Sequence, residues 1–127
     1  MAAYIDPTYY NEVYMGRAVD AAAFPRLALR ASEQVDALTF GNIGDIASQP
    51  ADVQTAVKNA TCIIVEGMAS LEAYSDMGVI STSESASGAY SYTVDAASVR
   101  AAQADVIARA KVALRSTGLL YAGVCCR

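Results

Sequence analysis

Residues 51–75 read ADVQTAVKNATCIIVEGMASLEAYS, and this stretch decides the fold of the 127-residue chain. Its apolar residues recur at steps of three and four: Val53, Val57, Ala60, Ile63, Ile64, Gly67, Met68, Leu71 and Tyr74. This spacing draws one apolar stripe along an α-helix. A helix with such a stripe needs partners, so we expect other helices of the chain to cover it.

Two further segments carry the same periodicity. Phe24, Leu27, Ala28, Ala31, Val35 and Leu38 predict a helix that begins between Asp20 and Pro25 and ends near Thr39. Val99, Ala102, Val106, Ala110, Ala113 and Leu114 predict the inner face of a last helix, over 96–115. Asp95 is a suitable N-cap for that helix and Gly118 a suitable C-cap. Alanine and glycine on these faces predict close helix approach.

The N-terminal region predicts one short helix. Asp6 and Pro7 favour a start near Thr8, and Gly16 favours an end after Met15. Three tyrosines crowd this helix: Tyr9, Tyr10 and Tyr14. They either pack the helix on the bundle or contact another subunit, since tyrosine is enriched at interfaces. A brief turn is expected at residues 45–48.

Two segments interrupt or follow the bundle. Residues 78–94, GVISTSESASGAYSYTV, alternate at both ends and predict a loose β-hairpin-like excursion with its tip at 85–88. This segment is either a mobile surface loop or a loop that makes contacts or faces a channel. In the second case, Tyr90 and Tyr92 are its candidate contact residues. Residues 118–127 form an apolar tail, in which Leu119, Leu120, Tyr121 and Val124 pack back or dock on a neighbour.

The chain is therefore predicted to be a single all-α domain, residues 1–127. Its fold is a small bundle of three long helices plus a short N-terminal helix. A projecting loop separates the last two helices, and a tail follows the bundle.

Composition limits the classes of function. The net charge is −4, and the sequence contains no basic cluster. Because nucleic-acid binding depends on neutralising phosphates, this balance argues against a protein that grips DNA. Mean hydropathy is +0.27, but no apolar run approaches the ~20 residues of a spanning helix. We expect that the chain does not associate with membranes and that it is synthesised in the cytoplasm.

Residues suited to catalysis or metal binding are scarce. The chain has no histidine, which removes the commonest general base and makes a zinc site improbable. Cys62 is expected to be a small buried hydrophobic residue, and Cys125 and Cys126 form no C-x-x-C pair. We expect no catalytic residues, no cofactor and no metal, and thus a protein that is not an enzyme.

The order of several short motifs carries more information. Residues 9–14, YYNEVY, precede FPRL at 24–27, VDALT at 35–39 and VKNATC at 57–62. GVIS at 78–81 and TGLLYAGV at 117–124 follow. In this order and spacing, the chain resembles the head–tail adaptor (head-completion, connector) proteins of long-tailed bacteriophages over nearly its whole length.

The resemblance implies a structural protein of the virion neck. Such proteins form a ring, typically dodecameric, beneath the portal protein, where they extend the DNA channel and receive the next neck or tail component, a stopper or tail terminator. DNA passes through without sequence-specific binding. The resemblance also implies a 78–94 loop directed to the channel or a neighbour, and a 118–127 tail that reaches the portal.

Other functions stay open at this point. One is a different neck or tail-completion protein, which would copurify with a different partner. Another is a small DNA-packaging or regulatory DNA-binding subunit, for which a basic helix would be expected. We expect the isolated chain to be monomeric or weakly associated, with loop and tail disordered until assembly.

Overall fold

The computed structural model describes the backbone of residues 3–76 and 96–120, and the side chains of 3–71 and 100–120. Every regular element in these ranges is helical, which confirms the predicted all-α class. A π-helix at Tyr9–Tyr14 precedes α1 (Phe24–Leu38), α2 (Ala51–Asp76) and α3 (Ala96–Leu114). The predicted 78–94 excursion, the Asp95 cap and the tail beyond Leu120 lie outside the described residues.

Helix α2 is the centre of the bundle, as its sequence predicted, because α1 and α3 both pack against it. Val57, Ala60 and Ile64 of the predicted stripe are buried. The buried surface of α2 is wider than that stripe, since Thr61 and Val65 are also fully buried. A helix covered from several sides buries more than one face, and Thr61 satisfies its own hydroxyl by donating to the Val57 carbonyl at 2.8 Å.

Helix α1 begins and ends as expected and turns its predicted face inward. Phe24, Leu27, Ala28, Ala31 and Val35 are buried. Pro25 occupies the first turn, where its missing N–H costs no helical hydrogen bond. Ser32 is buried among these residues, and its hydroxyl donates to the Ala28 carbonyl at 2.8 Å.

Helix α3 comes close to α2 at Gly67. A Cβ placed on Gly67 would lie 2.6 Å from Cγ2 of Val106, so the two helices meet where α2 has no side chain. This confirms the close approach that small residues predict. Ala110 and Leu114 are buried as expected, whereas Ala102, predicted to face inward, is exposed because it lies at the rim of a groove between α2 and α3.

The N-terminal segment is tied down before its short helix begins. The Tyr4 backbone N–H donates to the Ser32 hydroxyl at 3.0 Å, and the Tyr4 hydroxyl donates to Asp36. The side chain of Asp6 accepts from the Tyr9 N–H at 2.7 Å, which confirms the predicted cap. No periodicity in the sequence predicts the contacts of Tyr4.

The end of the short helix differs from the prediction in its mechanism. Met15, not Gly16, adopts the left-handed conformation, with φ of 60°. Gly16 is needed for space instead, because a Cβ there would lie 2.4 Å from Cζ of the Tyr10 ring. The glycine therefore permits close packing of backbone against a buried aromatic ring.

The loop from α1 to α2 and the end of α3 follow the predicted turn chemistry. Asp45 accepts from the Ala47 N–H at 3.1 Å and caps a 3₁₀ turn at Ile46–Ser48. Gly118 is left-handed at φ 77° and ends the 3₁₀ turn Arg115–Thr117 that follows α3. No helix within the described ranges is long and apolar enough to cross a membrane.

Candidate interaction surface

Tyr10 is the core residue of the N-terminal helix. Its side chain is 1% exposed, and its hydroxyl donates to the Arg17 carbonyl at 2.7 Å. The ring contacts Tyr14 at 5.7 Å and Phe24 at 5.5 Å between centroids, the second pair edge to face. Burial, followed by the charge of Glu66, raises the pKa of Tyr10 to about 12. Tyr10 therefore packs the short helix on the bundle, which is one of the two alternatives that the sequence left open.

Tyr9 and Tyr14 are only partly buried and flank Tyr10. The Tyr9 hydroxyl donates to the Asn59 side-chain oxygen at 2.9 Å, and the Lys58 ammonium lies 5.3 Å from the Tyr9 ring centroid. Burial and then the Glu66 charge raise the pKa of Tyr14. Both tyrosines pack on α2 while part of each ring stays accessible, so they remain candidate contact residues.

The start of the C-terminal tail packs back on the bundle. Leu119 is 8% exposed, and its carbonyl accepts from the Asn42 side-chain amide at 3.1 Å. Leu120 is partly buried against the core. These positions fit the packing-back alternative up to Leu120. The other candidate contact residues, Tyr90, Tyr92, Tyr121 and Val124, lie outside the described residues.

Within the described residues, the most exposed large apolar side chains were not predicted as contact residues from the sequence. They are Met15 at 75%, Val13 at 64%, Phe40 at 61% and Val112 at 58%. The exposure of Phe40 could have been predicted from the sequence. Phe40 follows the last periodic residue of α1, precedes Gly41 and does not continue the apolar stripe of the helix. Large aromatic side chains left in water are a feature of interaction sites.

The N-terminal residues form a surface pocket beside Val13. The pocket has a volume of about 390 Å³, and its apolar lining comes from Ala3, Tyr4, Ile5, Tyr9 and Val13. Lys58, Asp6 and Thr8 complete its wall. The Tyr4 hydroxyl donates to Asp36 and the Tyr9 hydroxyl to Asn59, and these hydrogen bonds hold the two tyrosine rings that line the pocket. The pocket is therefore preformed.

The described residues offer little for catalysis. Within the ranges that the structure describes, no group of three or more metal-ligating side chains comes together. Cys62 is fully buried and free, as predicted, and burial followed by the Glu66 charge raises the pKa of its thiol to about 12. Such a thiol is protonated at neutral pH and is a poor nucleophile.

Comparison of the chain with protein-family models, with curated proteins and with solved structures found no match.

Proposed function

We propose that this chain is a structural protein of the neck of a long-tailed bacteriophage. It forms a ring beneath the portal protein, completes the head, extends the DNA channel and receives the next neck or tail component. The observation that carries this proposal is the ordered set of motifs from Tyr9 to Val124, which resembles the head–tail adaptor proteins. The chain is made in the host cytoplasm and ends in the virion.

Several physical features support this role. A channel through which DNA slides must not hold it, and a chain of net charge −4 with no basic cluster has little means to neutralise phosphates. A ring needs apolar contacts between copies, and Val13 and Phe40 expose such side chains. A helical bundle with a buried central helix supplies a rigid subunit for assembly.

The proposal is tested by binding to portal rings. Size-exclusion chromatography of the chain mixed with the portal protein of the same genome should give co-elution. Replacing Tyr121 and Val124 with serine should weaken binding about 30-fold, since removing apolar anchors from an interface has effects of this size. A Val112→Ala variant serves as control and should bind like the original chain.

Other results would reassign the function. A chain that binds the neck only after a different protein has closed the portal would be a later neck component. A chain that ignores portals and binds DNA with a steep salt dependence would be a DNA-binding subunit. Either result would overturn the adaptor proposal.

A further inference from the structure

Helix α3 and the turn that follows it carry positive charge in an acidic chain. Residues 100–115 contain four basic side chains and one acidic side chain, whereas the whole chain has a net charge of −4. Arg109 and Asp105 pair with each other at 3.4 Å. Arg100, Lys111 and Arg115 are exposed and form no ion pair within the part of the chain that the structure describes. Three cations of this segment therefore have no counter-charge.

The helix places these three cations on one side. Arg100 and Lys111 are about three helical turns and about 16 Å apart, and Arg115 follows about one turn later. Ala104 and Ala108 lie between them on the same side and are also exposed. These five residues form what we call the basic face of α3, which is about 22 Å long and carries no acidic residue of the helix. The ion-paired residues of α3 lie on the opposite flank.

Stabilisation of the helix does not account for all three charges. Lys111 and Arg115 lie at the C-terminal end of α3, where the partial negative charge of the helix dipole favours cations. Arg100 lies in the second turn, near the positive end, where the dipole does not favour a cation. A solvated helix face usually mixes both signs of charge in i,i+4 pairs, and this face has only one.

We propose that the basic face of α3 contacts the phosphates of double-stranded DNA. A row of positive side chains complements the duplex, which carries one negative charge per ~1.7 Å of its axis. The alanines between the cations are small, so the helix can lie close to the sugar–phosphate backbone. Because the contact is made to phosphates, it does not depend on the base sequence.

The composition of the face favours a phosphate backbone over a protein partner. Alanine and lysine are depleted at protein–protein interfaces, where aromatic side chains supply much of the affinity. The basic face has no aromatic residue, and the large apolar side chain nearest to it on α3, Val112, lies beside it rather than within it. Its affinity is therefore expected to come from charge.

Three phosphate contacts give weak binding that depends on salt. Each contact contributes about −0.9 to the slope of log affinity against log salt concentration, which gives a slope of about −2.7. Affinity then falls roughly 40-fold between 50 and 200 mM salt. Such a contact touches DNA without holding it, in agreement with a sequence that has no run of basic residues.

The test is fluorescence anisotropy of a labelled DNA duplex titrated with the full chain between about 50 and 200 mM salt. We expect the slope of about −2.7 and equal affinity for duplexes of two unrelated sequences. Arg100→Gln, Lys111→Gln and Arg115→Gln should each reduce the slope by about 0.9. Arg109→Gln removes the same charge from the other flank of the helix and should leave the slope unchanged. Circular dichroism checks that every variant is folded.

Two kinds of result would overturn the inference. One is the absence of duplex binding at about 50 mM salt up to the solubility limit of the chain, or a slope that the three variants change no more than Arg109→Gln does. The other is tighter binding of labelled poly-glutamate than of the duplex at equal salt, which would assign the basic face to an acidic protein surface.

The inference rests on the charge and geometry of α3, so its failure and that of the proposed function can be told apart. Within a neck ring, the basic face would be the one turned toward the channel. A chain that binds portal rings but not DNA retains the adaptor role and loses the α3 contact. A chain that binds DNA through α3 but ignores portals retains the α3 contact and loses the adaptor role.

Discussion

At the scale of single residues, the part of the chain that the structure describes has two bulky side chains at left-handed positions. Met15 and Phe40 have φ of 60° and 57°, and both are followed by glycine and exposed to solvent. A left-handed L-residue costs roughly 1–2 kcal/mol relative to the right-handed region. The exposure of both side chains means that core packing does not offset this cost.

The strain at Phe40 can be measured with a pair of variants. Phe40→Ala and Phe40→Gly both remove the ring, but only glycine removes the strain of a Cβ at positive φ. We expect the glycine variant to be the more stable by about 1 kcal/mol in urea unfolding, opposite to the order of the two residues within a helix. Equal stability, or a more stable alanine variant, would contradict the left-handed assignment.

Tyr10 and Cys62 predict instability at alkaline pH. Their pKa values rise in the folded chain from ordinary values of 10.0 and 9.0 to about 12 in each case, so the unfolded chain loses these protons first. Stability is therefore unaffected by these groups below about pH 9 and falls as pH rises to about 12. Across this pH range, the midpoint temperature of thermal unfolding should fall more steeply in the original chain than in Tyr10→Phe.

The same variant has a second expected effect. At pH 7, Tyr10→Phe should cost about 1 kcal/mol, because the Arg17 carbonyl loses its hydroxyl donor. Tyr9→Phe, at a partly exposed ring, is the matched control and should have a smaller effect. A Tyr10→Phe variant with unchanged alkaline behaviour would show that the Tyr10 hydroxyl titrates normally.

At the scale of elements, the contact between α2 and α3 depends on Gly67. Alanine at this position would gain about 1 kcal/mol of helix propensity but would place its Cβ within 2.7 Å of both Cγ atoms of Val106. Overpacking of this kind typically costs ~1–3 kcal/mol. We therefore expect Gly67→Ala to be destabilising in urea unfolding in spite of the propensity gain.

The physical reason for that loss can be isolated with a double variant. If the clash with Val106 is the cause, Gly67→Ala combined with Val106→Ala should be more stable than the sum of the two single effects predicts, by about 1–2 kcal/mol. Strict additivity would mean that α2 and α3 do not approach each other at this point.

The helices were predictable because their signals are local. Phe24 to Leu38 and Val57 to Ile64 repeat at helical spacing, and Asp6 and Gly118 occupy the expected capping positions. The unexpected details depend on contacts distant in sequence. Tyr4 is fixed by Ser32 and Asp36, and Gly16 by the Tyr10 ring, and no periodicity in the sequence encodes such pairs.

The candidate site was predictable only in part. Tyr9, Tyr14 and Leu120 were chosen from composition and stay accessible, whereas Tyr10 and Leu119 lie in the core. Tyrosine alone does not distinguish the two outcomes, because its ring packs as readily as it binds. The pocket was missed because its lining assembles from the leader, the short helix and Lys58 of α2.

At the scale of the whole molecule, the described residues form a helical bundle with α2 at its centre. The core is formed by α1 and α3 packed on α2, together with the N-terminal segment. Among the described residues, the large apolar side chains that stay exposed are Val13, Met15, Phe40 and Val112.

The most direct measurement is electron microscopy of portal rings incubated with an excess of the chain. A ring beneath the portal should give class averages with an added layer of density on the tail-facing side of the portal, sharing its rotational axis and leaving the channel open. Portal averages that stay unchanged while the chain remains in the unbound fraction would contradict it.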